Sequence, residues 1–440
     1  MKIKQNRATL ATPILGLVAL IMLSCSSEPL QPQARVEKNV VYGMYAGLAL
    51  LMDVYYPEQP NGHGIIYIRG SGWHAPTPYG TRQLKRNYVQ AVFLDAGFTV
   101  FSVNHRGTPR FQYPAAVEDV QRAVRFIRHH AQRYGIDPVR IGAYGHSSGG
   151  HLVSMLGVLD GDGDPNDSDP VNRMSAKVQA VVARAAAFDL APLNTEVGIA
   201  AVIDFLGEQR SSGGSATYTD ASPVTHVTPD DAPFLLIHGD ADPVVPIEQS
   251  ELMHQILAKN GVPAKLRRIA GGGHGAFDAA EAGRWLTMHL IGETEAKVLE
   301  PLFELYGILD EGVELARQGK IQDALAAYTK AQSGNLKITV SDWQWNNLCW
   351  YGALWGYPAD VMPACEKGVA LSPENGDYRD SRGVARALTG DFEGAISDFE
   401  TYVAYTSSDE FRALRQEWID ALRAGENPLT PEVLKKALEE

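Results

Sequence analysis

Cysteine is scarce: the 440 residues contain three, Cys25, Cys349 and Cys365. No cluster of Cys and His has zinc-ligand spacing, which excludes a structural zinc module and leaves no expected metal or cofactor. Cys349 and Cys365 are open to either a single disulfide or two buried thiols. Positive charge is also short. Lys and Arg number 39 against 52 Asp and Glu, for a net charge of -13. A chain without a basic surplus lacks the face that a phosphate backbone requires, so nucleic acid is excluded as a partner. Long apolar runs are missing apart from Leu10–Leu23, which is shorter than the ~20 residues of a membrane span. What remains is ordinary globular composition, 45% hydrophobic and 21% charged, at a length that suits two to three domains.

The first 25 residues are expected to be a leader. Lys2, Lys4 and Arg7 form a basic start, Leu10–Leu23 an apolar middle, and Ser24-Cys25-Ser26-Ser27 a terminus. This arrangement resembles a bacterial lipoprotein signal. The resemblance implies lipidation at Cys25, export and a lipid anchor at a membrane of the cell envelope, on the periplasmic or outer face. Met22 and Leu23 depart from the residues usual at those positions. Residues 26–38 are polar and Pro-containing, and are read as a tether.

From Asn39 to Gly292, short continuous apolar runs alternate with helical patterns. Strands are expected at Gly64–Ile68, Phe98–Val103, Arg140–Tyr144, Val178–Ala185, Pro233–Ile237 and Ala264–Ile269. Helices are expected at Ala115–His130, Ser148–Leu159, Ile247–Ala258 and Ala276–Leu290. Fully apolar strands alternating with helices specify an α/β class, with a doubly wound, mostly parallel sheet covered on both faces.

After Ile291 strand patterns stop. Gln318-Gly319-Lys320-Ile321-Gln322-Asp323-Ala324-Leu325 matches Thr389-Gly390-Asp391-Phe392-Glu393-Gly394-Ala395-Ile396, and Gly356 sits between them. Gly356 and Gly390 are 34 residues apart, Gly319 and Gly356 37 apart. The pattern resembles tetratricopeptide repeats, with three imperfect units over residues 300–440. Pro363 is expected to kink the second helix of the middle unit. Trp343, Trp345, Trp350 and Trp355 at helical spacing are read as core. Repeat arrays bury their own core, so residues 300–440 are expected to fold alone, unless helices near Leu302 cover an apolar face of the first domain. By the same resemblance, a protein or peptide partner is expected on the repeats.

The strongest chemical signal is Arg140–Tyr144 followed by Gly145-His146-Ser147-Ser148-Gly149 and then a helical run. Strand, Gly-x-Ser-x-Gly and helix together push the serine out on a sharp turn beside a helix N-terminus. A serine hydroxyl needs a base. His274, in Ala270-Gly271-Gly272-Gly273-His274-Gly275 after the last strand, is the histidine best placed to reach it. His146 and His151 lie too near Ser147 in sequence to swing back. A carboxylate between serine and histidine should accept the ring N–H. Asp240 and Asp242 both qualify, and the pattern does not choose.

Residues 39–292 resemble an α/β-hydrolase of the group that includes feruloyl and acetyl esterases. The resemblance rests on Tyr113-Pro114-Ala115-Ala116-Val117-Glu118-Asp119-Val120, Tyr134-Gly135-Ile136-Asp137-Pro138, residues 145–151, Ala221-Ser222-Pro223-Val224-Thr225-His226-Val227 and residues 238–246. It implies that Asp242 is the acid and Asp240 a loop-capping residue. It also implies an oxyanion hole of backbone N–H groups at Gly70, Ser71 and Ser148. The family's His-Gly-Gly-Gly-Trp reads Arg69-Gly70-Ser71-Gly72-Trp73 here. Ser71 is therefore expected to place a Cβ in a strained, positive-φ position.

Three functions follow. The first is carboxylic-ester hydrolysis through an acyl-enzyme on Ser147, with small-molecule or carbohydrate-linked esters as substrates. The second is a prolyl-oligopeptidase-like peptidase, disfavoured because that family's propeller has no counterpart between Cys25 and Asn39. The third is a scaffold in which the repeats bind a partner and the hydrolase domain is vestigial, motivated by the altered loop at 69–73. Leu190–Ser215 is expected to form a lid. Asp160-Gly161-Asp162-Gly163-Asp164 imitates a calcium loop, but Pro165 stands where glycine is needed, and a solvated acidic loop is expected.

Overall fold

A computed structural model describes residues 35–74, 88–193, 195–208, 215–333 and 336–439. The leader and Cys25 lie outside them. No helix among the described residues is long and apolar enough to cross a membrane.

Eight strands form one sheet: β1 (Val36–Tyr45), β2 (Leu48–Tyr55), β3 (Gly64–Ile68), β4 (Thr99–Val103), β5 (Ile141–His146), β6 (Ala180–Arg184), β7 (Phe234–Gly239) and β8 (Ala264–Ile269). The spatial order is β1-β2-β4-β3-β5-β6-β7-β8. The β1–β2 and β2–β4 pairs are antiparallel and the rest parallel. This doubly wound, mostly parallel sheet fits the α/β-hydrolase arrangement. The first two strands are not among the sequence expectations. Ala46 and Gly47 both have positive φ, 46° and 85°, and close a two-residue hairpin between them. The expected tether needs correction at its end: Val36 and Glu37 pair with Tyr55 and Val54, so the sheet begins inside residues 26–38.

Alternation along β3 divides the core. Ile65 and Tyr67 face one side of the sheet, Ile66 and Ile68 the other, all at most 3% exposed. The Ile66 side packs on helices Ala115–His129, Ser148–Val158 and Glu248–Lys259. The Ile65 side packs on helices Tyr88–Asp95 and Ala279–Leu290, and its core continues without a break into the C-terminal helices. Phe303 is fully buried there, and a Cβ on Gly283 would lie 2.5 Å from its ring. Asp95 accepts hydrogen bonds from Tyr306 Oη (2.6 Å) and Thr339 N (2.7 Å), and Asp310 accepts one from Ala279 N (2.7 Å).

The C-terminal helices pack as successive pairs: Glu300–Arg317 with Ile321–Gln332, Asp342–Leu354 with Pro358–Leu371, and Gly376–Thr389 with Phe392–Tyr405. Gly319, Gly356 and Gly390 follow the first helix of each pair with φ of 77°, 88° and 87°. One left-handed glycine per pair is what the sequence spacing required. Helix Pro358–Leu371 continues through Pro363. Cys349 and Cys365 form a disulfide that joins the two helices of the middle pair. Trp345 is buried against Tyr328, Trp343 and Trp350 are partly buried, and Trp355 is 43% exposed, lying over Gly319. In the acidic loop, Asp164 and Asp167 accept N–H groups of their own turns, and Lys177 approaches Asp160 at 3.7 Å.

Candidate active site

Every triad and oxyanion residue expected from sequence lies just beyond the carboxyl end of a parallel strand, where loops of an open α/β sheet converge. Ser147 follows β5 with φ 55° and ψ -126°. Such a backbone costs a non-glycine residue about 1–3 kcal/mol and persists only where the surroundings enforce it. Here Gly145 and Gly149 enforce it by approaching so closely that a Cβ on Gly145 would lie 2.1 Å from the Gly149 carbonyl oxygen. Ser147 N–H also donates to Arg184 O at 2.8 Å.

The loop after β3 borders this turn. A Cβ on Gly70 would lie 2.8 Å from that of Ser147. Ser71 N–H donates to Ser148 Oγ at 2.9 Å, and Ser71 Oγ donates to His74 O at 2.8 Å. The strain expected at Ser71 falls elsewhere: Gly72 and Trp73 carry the positive φ values, 61° and 60°. Trp73 is held in place because its Nε1–H donates to His151 Nδ1 (3.1 Å) and its ring stacks on Phe205. Burial lowers His151 to about 4, so it stays neutral, with Nε2–H donated to Ala221 O.

His274 Nδ1 lies 2.7 Å from Asp242 Oδ2. A carboxylate accepts, so Nδ1 carries the proton and Nε2 keeps its lone pair. Asp242 has no exposed side-chain surface. Burial opposes its charge, but hydrogen bonds from His238 and His274 and the Val245 N–H outweigh burial and hold the carboxyl well below the usual carboxylate range. Asp240 instead accepts Gly271 N–H at 2.7 Å, capping the loop. Gly70, Ser71, Ser147, Ser148 and His274 all line one cavity of about 700 Å³, with Asp242 behind His274. Helix Glu196–Leu206, inside the segment expected as a lid, supplies one wall through Val197, Gly198, Ala200 and Ala201.

Residues 52–257 match the BD-FAE family model. The chain is similar to LipM of Mycobacterium tuberculosis, a probable carboxylic ester hydrolase, at 27% identity over 219 residues, covering 48% of this chain and 49% of LipM. It is similar to Esterase LipC of the same organism at 29% identity over 261 residues, 56% of this chain and 61% of LipC. It thus spans about half to three fifths of the length of these curated relatives. Among solved structures, an acetyl ester-xyloside bifunctional hydrolase from Caldicellulosiruptor lactoaceticus aligns with a TM-score of 0.49 at 26% identity, covering 63% of this chain and 98% of that one.

Four further residues support the site. Arg184, at the end of β6, donates from Nε to Ala276 O (2.7 Å) and from its guanidinium to Gly275 O, with Phe277 stacked beneath it. His146 Nε2 lies 2.9 Å from His274 O, and a carbonyl can only accept, so Nε2 donates. Burial, reinforced by the nearby Arg184 cation, pushes His146 well below the ordinary histidine range and keeps it neutral. His238 places Nε2 between Val245 O (2.9 Å) and Asp242 Oδ2 (3.2 Å), while Ser250 Oγ meets its Nδ1. His151 supports Trp73. The glycine loop of His274 is therefore clamped from two strands. Arg184, His146 and His151 join segments far apart in sequence, whereas His238 acts within its own loop, on Asp242, Val245 and Ser250.

Proposed function

We propose that this chain is a serine carboxylic-ester hydrolase working through an acyl-enzyme on Ser147. The observation that carries it is the Asp242–His274 contact at 2.7 Å beside a cavity shared by His274 and the strained Ser147. The similarity to named esterases supports ester bonds as the target. Ser147 Oγ attacks the acyl carbon and His274 Nε2 takes its proton. Asp242 stabilises the imidazolium and fixes the tautomer. The oxyanion is held by the N–H groups of Gly70 and Ser148, while the Ser71 N–H, expected as a third donor, is given to Ser148 Oγ. The imidazolium then protonates the departing alcohol, and a water, deprotonated by the same nitrogen, hydrolyses the acyl-enzyme.

The test uses the full chain with p-nitrophenyl acetate beside an aminoacyl p-nitroanilide. Ester turnover with little amide turnover is expected, and the reverse preference would favour the peptidase. In the same assay Asp242→Asn should lower kcat by about 10⁴-fold, because the amide no longer fixes the productive tautomer. Asp240→Asn should cost less than about tenfold, since its amide oxygen still accepts Gly271 N–H and one neutral hydrogen bond contributes only about 1 kcal/mol. The opposite ranking would reassign the acid.

The substrate class we infer is a small-molecule or carbohydrate-linked ester. The paired helices with one left-handed glycine per pair support a tetratricopeptide-like reading of residues 300–440, after a catalytic region whose sheet begins at Val36, with a peptide segment as the class of partner. The residue pattern around Cys25 supports a lipid anchor at the envelope. Cys25→Ser should then move the protein from the detergent phase to the aqueous phase of a phase-partition assay, and an unchanged distribution would refute the anchor.

A further inference from the structure

Two serine hydroxyls stand beside the expected oxyanion hole, and they are bonded differently. Ser71 Oγ–H is committed, donating to His74 O at 2.8 Å. Ser148 Oγ acts as an acceptor, taking the Ser71 N–H at 2.9 Å. Accepting one bond leaves a hydroxyl its proton to donate. Among the described residues no acceptor takes the Ser148 proton. Ser148 is nonetheless 3% exposed, where an idle donor is costly.

The usual outlet for a buried helical serine is the carbonyl four residues back. Ser154 uses it, donating to Gly150 O at 2.7 Å. Ser148 opens its helix, so the residue four back is Tyr144, which lies within β5 and is paired in the sheet with Tyr67 and Val182. Its proton therefore has no outlet in the helix. The hydroxyl takes up the Ser71 N–H, which sequence reasoning assigned to the oxyanion, and sits beside its own backbone N–H at the helix start.

We propose that the Ser148 side chain is itself an oxyanion donor: its hydroxyl holds the Ser71 N–H in the resting enzyme and gives its own proton as a hydrogen bond to the tetrahedral oxyanion. This rests on the ester-hydrolase reading of the same site, and adds a side-chain group to backbone donors. No proton is transferred. The Ser71 N–H bond polarises the hydroxyl, and a polarised O–H is a stronger donor in a dry site. The arrangement also gives the non-glycine at position 71 a role for its amide that does not depend on glycine.

The experiment compares wild type, Ser148→Ala and Ser148→Thr in the full chain. It measures kcat and KM on p-nitrophenyl acetate, inhibition by a trifluoromethyl ketone that forms a tetrahedral adduct, and melting temperature. Removing one oxyanion donor typically costs about 100-fold or more, and a donor shared with Ser71 should cost about 10- to 100-fold. Ser148→Ala is expected to lose that factor in kcat with KM nearly unchanged, and to weaken the ketone equally. Ser148→Thr, which keeps the hydroxyl, should recover most of both. A Ser148→Ala rate at or above wild type would overturn the proposal, because the hydroxyl would then be competing with the oxyanion. A raised KM with a lowered melting temperature and no matching loss of ketone affinity would also overturn it, in favour of a packing role. If wild type hydrolyses no ester and Ser147 resists a fluorophosphonate, the ester-hydrolase reading fails. An active wild type with an indifferent Ser148→Ala defeats the donor alone.

Discussion

Ser147→Ala should lower kcat on a soluble acyl ester by about 10⁶-fold and leave the melting temperature within about 2 °C of wild type. The loss is large because no acyl-enzyme can form. What remains is the catalysis that bound water draws from the hole and from substrate positioning. The fold should survive because backbone groups hold the turn. Ser147 N–H donates to Arg184 O, Ser147 O accepts His151 N–H at 3.0 Å, and the glycines at 145 and 149 keep their close approach. Alanine carries the same Cβ at φ 55°, so the backbone strain is unchanged. Fluorophosphonate labelling, seen on intact mass in the wild type, should vanish. A variant retaining more than about 1% of wild-type kcat, a loss far short of that expected for a nucleophile, would show that another group attacks the ester.

Ending the chain after Gly292 should abolish soluble, folded protein, and activity with it. The cut removes Leu302, Phe303, Tyr306 and Leu309, each at most 5% exposed and all in the core that also holds Val92, Phe93, Leu286 and Leu290. Burying one large apolar side chain contributes about 1.5–3 kcal/mol, so four of them are comparable with the whole net stability of a domain, about 5–15 kcal/mol. Asp95 would lose its bonds from Tyr306 and Thr339, and the Ala279 N–H would lose Asp310. The Ala279–Leu290 helix starts two residues after Phe277, in the loop that carries His274. Loosening it should therefore disturb the base even in molecules that stay folded. Soluble yield, size-exclusion profile and melting temperature of residues 35–292 measure the effect. A monomeric fragment melting near the full chain and hydrolysing esters would refute the account, and would restore the expectation of two independently folding halves.

Local pattern determined much of this protein. Most of the parallel strands were legible because they are largely apolar runs, though the edge strand β8 carries Lys265, Arg267 and Arg268, and the helices because their apolar residues recur at helical spacing. The turn at Ser147 was legible from two glycines flanking it between a strand and a helix. The pattern admitted both Asp240 and Asp242, since both follow one strand within three residues. Only the folded loops separate them, turning Asp242 to His274 and Asp240 to Gly271 N–H. The β1 strand escaped because it is an edge strand with exposed residues at Asn39, Val41 and Met44, whereas β2 carries a continuous apolar run, Leu48–Met52, that does signal a strand, though none was expected there. The roles of Arg184, His146 and His151 escaped because the partners named above lie 70–128 residues away, which no sequence spacing encodes. The change of periodicity near Ile291 marked where strands end. Whether the helices beyond it stand apart was a question of surface matching, and tertiary structure decided it: the Ile65 face of the sheet and its two helices leave an apolar surface that the Glu300–Arg317 helix covers.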